Sequence, residues 1–450
     1  MIRHDQHDPS ASVSVRRKRQ RTQPAEDVRS RWGWAEVVVW TDRRLTALEQ
    51  GVKGGRWFRL IDKMFSGLCL YAAARQVLAN RGAAGVDHVS VDGFKSRMSA
   101  ELQRLSVSLR DGTYCPQAIR RVEIPKPGSN ELRPLGIPTV RDRVVQAALV
   151  KVLEPIFEAG FAEHSYGFRP GRGCRDALRR VDELINAGYV HVVDADLKGY
   201  FDSIPHDRLL ARLQEKIADG RVLSLIEQFL KAKVLDGMSE WQPESGAPQG
   251  AVLSPLMSNI YLNPLDHLLA QHGFEMVRYA DDFVILCRTA SEAQQALRLV
   301  DDWTQQNGLT LHPTKTQVVD VSATGFDFLG YHFLGTRHWV SEKAVRKVKE
   351  KIRQLTRRKS GVSLTVTITR LNSMLRGWLN YFQHSRPWVF PRLDTFLRQR
   401  LRHILRRRSK RKGCARSGMD NRRWPNSFFA EHGLLNLVAA HAEACQSSQR

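Results

Sequence analysis

The chain has 450 residues, enough for two to four structural units around at least one sizeable core. Lys and Arg number 70 against 46 Asp and Glu, a formal net charge of +24, while hydrophobic residues make up 42%, so a folded, strongly basic protein is expected, with a field that favours polyanions such as nucleic acid. No run approaches 18 consecutive apolar residues and the six cysteines are scattered without a C-x-x-C pair, which argues against a membrane span, a disulfide framework or a zinc cluster and fits a reducing cytosol.

In chain order, residues 1 to 34 are polar, Ser- and Arg-rich and without apolar periodicity, and read as a disordered basic arm with order beginning near Trp32. Leu45, Leu48, Leu60, Ile61, Met64, Leu68 and Leu70 recur mostly at three- and four-residue steps around the Gly-rich turn 51–55, which predicts short helices. A turn-rich stretch (80–87) precedes a helix through Phe94, Met98, Leu102 and Leu105. Residues 119–138 read as two strands around a Gly-Ser-Asn turn, placed toward a sheet edge by Pro125 and Pro127. Helix is predicted over 144–161, strand over 189–197, helix over 209–233 and 249–269, a hairpin over 277–287, helix over 291–306 and strands over 326–340. From Ser341 onward the pattern changes to basic helices at 343–358, 364–382 and 394–408, and a last small element is expected around Phe428, Phe429, Leu434, Leu435 and Leu437. The order is mixed, not a βα repeat, so the expected class is α+β with a domain boundary near 340.

The sharpest chemical feature is Tyr279-Ala280-Asp281-Asp282, two adjacent acids interrupting a hydrophobic hairpin. Alone it also reads as turn chemistry, because Asp tolerates unusual backbone angles, although that is the lesser reading. A second acid changes the weighing. Asp196 ends the predicted strand 189–196, and alternation places Asp194 and Asp196 on the face of Val190 and Val192. A sheet face ending in carboxylates calls for a cation, and Mg2+ suits a few carboxylates that leave positions open for water and phosphate oxygens. Two such ions stabilise the attacking and leaving oxygens of an in-line phosphoryl displacement.

Tyr279 to Asp282 resembles the YADD box of reverse transcriptases, and Val192 to Ile204 (VVDADLKGYFDSI) resembles their first catalytic-aspartate motif. Gly246 to Pro255 (GAPQGAVLSP) is similar to the PQG motif in the QGxxxSP form of group II intron proteins. Residues 80–87, Arg133 to Pro138, Ser165 to Gly171, Thr310 to Thr316 and Phe328 to Tyr331 resemble successive blocks of the same family, and Arg376-Gly377-Trp378 with Asn380-Tyr381-Phe382 resembles its maturase thumb. Any single block is weak, whereas their order over residues 35 to 440 is specific.

The resemblance implies a right-hand polymerase, with fingers and palm over 35–340, a thumb/maturase domain over 341–425 and a short C-terminal element over 426–450. It implies an RNA-directed DNA polymerase that copies group II intron RNA and assists its splicing and mobility in a bacterial cytoplasm. Expected partners are group II intron RNA, an RNA template with a DNA primer, dNTPs and target DNA, with no membrane. Asp196, Asp281 and Asp282 are then the catalytic residues and ligands of two Mg2+ ions, while Asp194 matches no ligand position. Lys126 and Arg133 flank the fingers hairpin as triphosphate clasps, Phe201 lies under the incoming sugar and excludes a 2′-hydroxyl, and Gln249 and Gly250 touch nucleotide and template from a helix start. Lys315 either protonates the leaving pyrophosphate or pairs with a carboxylate. Residues 398–412 hold nine Lys or Arg in fifteen positions and read as an RNA-gripping helix, with Arg398, Arg402, Arg406, Arg407, Arg408 and Lys410 as contacts and Trp378, Tyr381 and Trp388 as stacking faces. Many family members continue into a nuclease, for which Cys414 and Cys445 are too few. Recruitment of the same enzyme to a retron, diversity-generating or CRISPR role, or a splicing-only function, are the alternatives.

Overall fold

The computed structural model describes residues 28–52, 54–125, 132–357, 361–409 and 418–447. Lys126, Lys410, Cys414 and residues 1–27 of the expected arm therefore lie outside the described residues. The arm's last residues are folded, contrary to expectation: Val28–Trp32 is one helical turn with Trp32 buried, and Arg29 Nε donates to Asp42 at 2.6 Å. A Trp buried in the same core as Leu45 and Trp40 outweighs the polar composition around it.

The strands in chain order are β1 (Ile119–Pro125), β2 (Leu132–Ile137), β3 (His191–Asp196), β4 (Val234–Asp236), β5 (Ser239–Trp241), β6 (Glu275–Tyr279), β7 (Asp282–Cys287), β8 (Gln317–Asp320), β9 (Phe326–Phe328), β10 (Tyr331–Leu334) and β11 (Arg337–Val340). They form three sheets, β2-β1-β4-β5 in the fingers, β6-β7-β3-β8 in the palm and β11-β10-β9 beneath the thumb. The fingers hairpin is present, but only β2 is an edge, because β1 also pairs in parallel with β4. The helix expected over 209–233 is two, His206–Lys216 and Gly220–Leu230. Asp219 breaks it, its carboxylate accepting from Arg221 N and Val222 N as a cap and from Leu60 N and Ile61 N across the fingers. Likewise the helix expected from 249 begins at Ser254 and runs to Gln271.

Strand alternation divides the interior in two. Val193 and Ala195 of β3, with Phe283 and Ile285 of β7, join the larger core shared with the fingers helices. Val192, Val284 and Leu286 point the other way, into a core that also holds Phe326, Phe328, Tyr331 and Phe333 and the thumb residues Leu371, Leu375, Leu397 and Leu401. Palm and thumb thus share one hydrophobic core. The helix Leu364–Phe382 is fixed to it by reciprocal bonds, Tyr331 Oη donating to Tyr381 O (2.8 Å) and Tyr381 Oη to Leu329 O (2.9 Å). Among the described residues no helix is long and apolar enough to cross a membrane.

Candidate active site at the end of the palm sheet

β3 and β7 lie side by side in antiparallel register, with Asp196 opposite Asp282 and Asp194 opposite Val284. Period two therefore places Asp194, Asp196 and Asp282 on one face, at the end where the apolar residues of that face stop. Asp281 sits in the turn between β6 and β7, beside Ala280, whose φ is +63°. Hairpin turns ask for Gly or Asn in that region, and an Ala there costs about 1–3 kcal/mol unless the surroundings impose it.

The two adjacent acids have different surroundings. The Asp281 carboxyl is pushed up by burial first and by the charge of Asp196, and is opposed by Arg133 and Arg278. Desolvation in the cleft wall, followed by the charges of Asp194, Asp281 and Asp196, pushes Asp282 up to about 7, with Lys343 of the thumb opposing; part of the Asp282 surface nevertheless remains open to solvent. Asp194 rises to about 6, mainly through burial, against a hydrogen bond from Gln317. Like charge gathered in a partly desolvated cleft is the arrangement a cation relieves. Lys315 Nζ supplies one now, donating to Asp196 Oδ2 at 2.6 Å. The donors that converge are carboxylate oxygens, which fit a hard divalent cation, although among the described residues no group of three His, Cys, Asp or Glu is gathered closely enough to hold one.

Around these acids the other expected residues fall as follows. Arg133 lies on β2, close enough for its charge to act on Asp281. Phe201, in the turn of helix Tyr200–Ser203, packs partly buried beside Tyr200, and its carbonyl accepts from Ala247 N at 2.6 Å, joining the first aspartate motif to the PQG segment. Gln249 and Gly250 precede the helix start by several residues and form a loop, contrary to expectation. Gln249 O accepts from Gly136 N at 2.6 Å, and its buried Oε1 has no hydrogen-bond partner. Gly250 has φ +103°, and a Cβ there would lie 2.5 Å from Gly136 O. The close approach that needs this glycine is to the chain's own fingers hairpin. Between that hairpin, β4–β5 and the PQG loop opens a cavity of about 460 Å³, lined by Arg121, Asp202, Trp241 and Gln249 among others. Lys315 pairs with the Asp196 carboxylate.

The thumb helix Val389–Arg408 corrects part of the expected RNA surface. Arg402 points inward and is buried: its Nε donates to Trp424 O and its Nη2 to Asn426 Oδ1, both at 2.9 Å, above the Phe429 ring. Arg406 pairs with the buried Asp420, and Arg408 donates to Val362 O. Arg398 is half-buried, while Arg407 and Arg408 are exposed at the helix end. Heptad-like spacing explains the outcome, since Arg402 falls between Leu401 and Leu405 on the flank that the C-terminal segment covers. Of the stacking candidates, Tyr381 is spent on Leu329 and Trp378 packs on Phe382 at 4.9 Å, whereas Trp388 is 48% exposed.

Residues that sequence reasoning missed lie directly behind the Tyr279–Asp282 turn. Arg278, wholly buried, donates to both carboxylate oxygens of Asp266 (2.7 and 2.5 Å), to Asn259 Oδ1 (2.9 Å) and to Ala280 O (2.9 Å). The available signal was an Arg between Val277 and Tyr279, just before the acidic pair, together with Asn259 and Asp266 seven apart on one helix.

Comparison with known proteins agrees with this geometry. Residues 124–333 match the family model for reverse transcriptase (RNA-dependent DNA polymerase), and 345–424 match that for the group II intron maturase-specific domain. Protein YkfC of Escherichia coli (strain K12) is 33% identical over 343 residues, covering 67% of this chain and 89% of YkfC. The group II intron-encoded protein LtrA of Lactococcus lactis subsp. cremoris is 40% identical over 203 residues, 45% of this chain and 33% of LtrA. An uncharacterized 91 kDa protein in the cob intron of Schizosaccharomyces pombe is 32% identical over 270 residues, 47% of this chain and 33% of that protein. With the reverse transcriptase palm and the maturase domain in one chain, this protein belongs to the group II intron-encoded reverse transcriptase/maturase family, RNA-directed DNA polymerases that take a divalent metal.

Proposed function

We propose that the end of the palm sheet is the polymerising centre, with Asp196 and Asp281 as the principal carboxylates and Asp282 as their support. The observation that carries this reading is the convergence of Asp196 and Asp281 in a cleft that raises the Asp281 carboxyl, with Lys315 already drawn to Asp196. In the reaction the primer 3′-oxygen forms a bond to the α-phosphorus of a dNTP, the α–β bridging P–O bond breaks, and pyrophosphate departs as the hydroxyl proton is lost. When bound, two Mg2+ ions supply the charge that stabilises the entering and leaving oxygens. The chain's residues position these partners. Arg133, together with Lys126, clasps the triphosphate; Phe201 fills the space of a 2′-hydroxyl; Gln249, with its unsatisfied Oε1, borders the nucleotide and template. Lys315 neutralises Asp196 until substrate arrives.

The maturase domain supports a second surface. Arg407, Arg408 and the exposed Trp388 face solvent on the thumb, and we assign them, with Arg398, to intron RNA through phosphate neutralisation and stacking. The compartment is a bacterial cytoplasm, and the mobile element's target DNA is the remaining partner. Primer extension on an RNA template with dNTPs and Mg2+ tests the centre. The wild type extends the primer and Asp281→Ala does not, while RNA binding stays; extension by the variant would remove Asp281 from the site.

A further inference from the structure

We infer that Arg278 is a positioning residue for polymerisation, the centre of a buried clamp that fixes the strained Tyr279–Asp282 turn and so aims Asp281 at Asp196. This rests on the polymerising-centre reading above. Three features behind the turn lead to it. Ala280 holds φ +63°, a region an alanine keeps only when its neighbours impose it. Its carbonyl accepts from Arg278 Nη1 at 2.9 Å, so the guanidinium grips the residue immediately before Asp281. Gly167 presses on the preceding peptide, where a Cβ would lie 2.2 Å from Ala280 N.

The clamp is anchored in two places. Asp266 accepts two bonds from Arg278, a fork that fixes the plane of the guanidinium and neutralises its charge. Asn259, seven residues earlier and so on the same face of helix Ser254–Gln271, accepts from Arg278 Nη1 at 2.9 Å and donates through Nδ2 to Gly167 O at 2.8 Å. One side chain therefore ties both walls of the turn together. The backbone closes the cage: Tyr166 N donates to Arg278 O at 2.8 Å and Arg278 N to His164 O at 3.0 Å. Because Arg278 and Asp266 are both buried and mutually compensated, the clamp adds no net charge to the cleft. Its contribution is geometry, and a lysine lacks the planar fork to replace it.

The test uses the full chain in steady-state primer extension, with primer–template affinity and thermal unfolding measured alongside. The paired variant Arg278→Met/Asp266→Leu removes both buried charges together, and Asn259→Ala removes the tie to Gly167 while leaving the ion pair. For the paired variant kcat falls by about 100-fold, the scale of a misplacement near 1 Å, whereas the dNTP KM and the primer–template Kd change by less than about 3-fold, as for an interaction felt in the transition state. Asn259→Ala shows the same split at about 10-fold. In the same assay Arg278→Lys stays below half the wild-type kcat. Wild-type kcat in Asn259→Ala, or a parallel loss of kcat and affinity that tracks the folded fraction in both variants, overturns the clamp. If the paired variant does not fold, Asn259→Ala alone decides. Failure of the wild type to extend, or unimpaired extension by Asp281→Asn, overturns the centre itself and is thereby distinguished from failure of the clamp.

Discussion

Two groups of like charge, the carboxylates at the end of the palm sheet and the arginines of the thumb helix, handle that charge in opposite ways. Asp194, Asp196, Asp281 and Asp282 are brought together in one cleft, with Lys315 and Gln317 as the nearest polar partners of Asp196 and Asp194. In the thumb helix, Arg400 donates to Thr356, Arg402 to Trp424 and Asn426, and Arg406 to Asp420, so much of the basic run holds the domain together. Clustered charge marks chemistry where the fold leaves it incompletely compensated, and marks architecture where the fold supplies partners.

The strongest challenge to this contrast lies within the Tyr279–Asp282 turn. Asp281→Asn should lower extension by at least about 10²–10³-fold, the scale of losing one electrostatic stabiliser of the transition state. Asp282→Asn, whose carboxyl feels the charge of Asp194 more than that of Asp281 or Asp196, should cost about ten-fold less; equal losses in single-turnover extension would erase the distinction between the two acids. Next in size is sugar choice. Phe201→Ala should raise ribonucleotide relative to deoxynucleotide use by about 10–200-fold, the range of discrimination available from one steric contact, and an unchanged ratio of kcat/KM values would return Phe201 to a packing role.

The thumb offers the sharper contrast between holding and gripping. Arg402→Met leaves the Trp424 carbonyl unpaired and should destabilise the protein by about 1–3 kcal/mol, read by urea unfolding, with an unchanged salt dependence of RNA binding. Reversal of Arg407 to Glu should do the reverse, flattening log K against log salt by roughly 0.7–0.9 per lost phosphate contact while stability stays within about 0.5 kcal/mol. If both variants move the same observable, the division of that helix is wrong.

The smallest effect concerns a charge buried outside either cluster. Burial, then the charge of Glu158, pushes Glu154 up to about 7 from its ordinary 4.5. Its ionised form is thus disfavoured in the folded state, so this group's contribution to stability falls as pH rises from about 4.5 to 7 and is level above. Glu154→Gln lacks that decline and should exceed the wild type above pH 7 by roughly 1–2 kcal/mol once solvent screening is allowed for. Equal unfolding curves for the two proteins at pH 5 and pH 8 would place Glu154 in ordinary solvent.

The acids that end the palm sheet, the order of the blocks and most elements were legible along the chain, because each rests on local chemistry: period-two strands, a turn that interrupts them and helices with an apolar stripe. The helix Leu364–Phe382 is an example whose bounds follow from its own pattern. Breaks imposed from outside were not legible. Asp219 divides a continuous apolar helix pattern because its carboxylate also serves Leu60 and Ile61, more than 150 residues away. The same reason hides the Arg278 clamp, whose partners stand 12 and 19 residues distant on another element. It also hides the inward turn of Arg402, which depends on a segment returning from 424–429 to cover one flank of its helix. Sequence alone determined that carboxylates would end a palm sheet and that arginines would crowd a thumb helix. Only tertiary structure decided which of those charges meet a partner, since a hydrogen bond across distant elements leaves no periodicity in the chain that makes it.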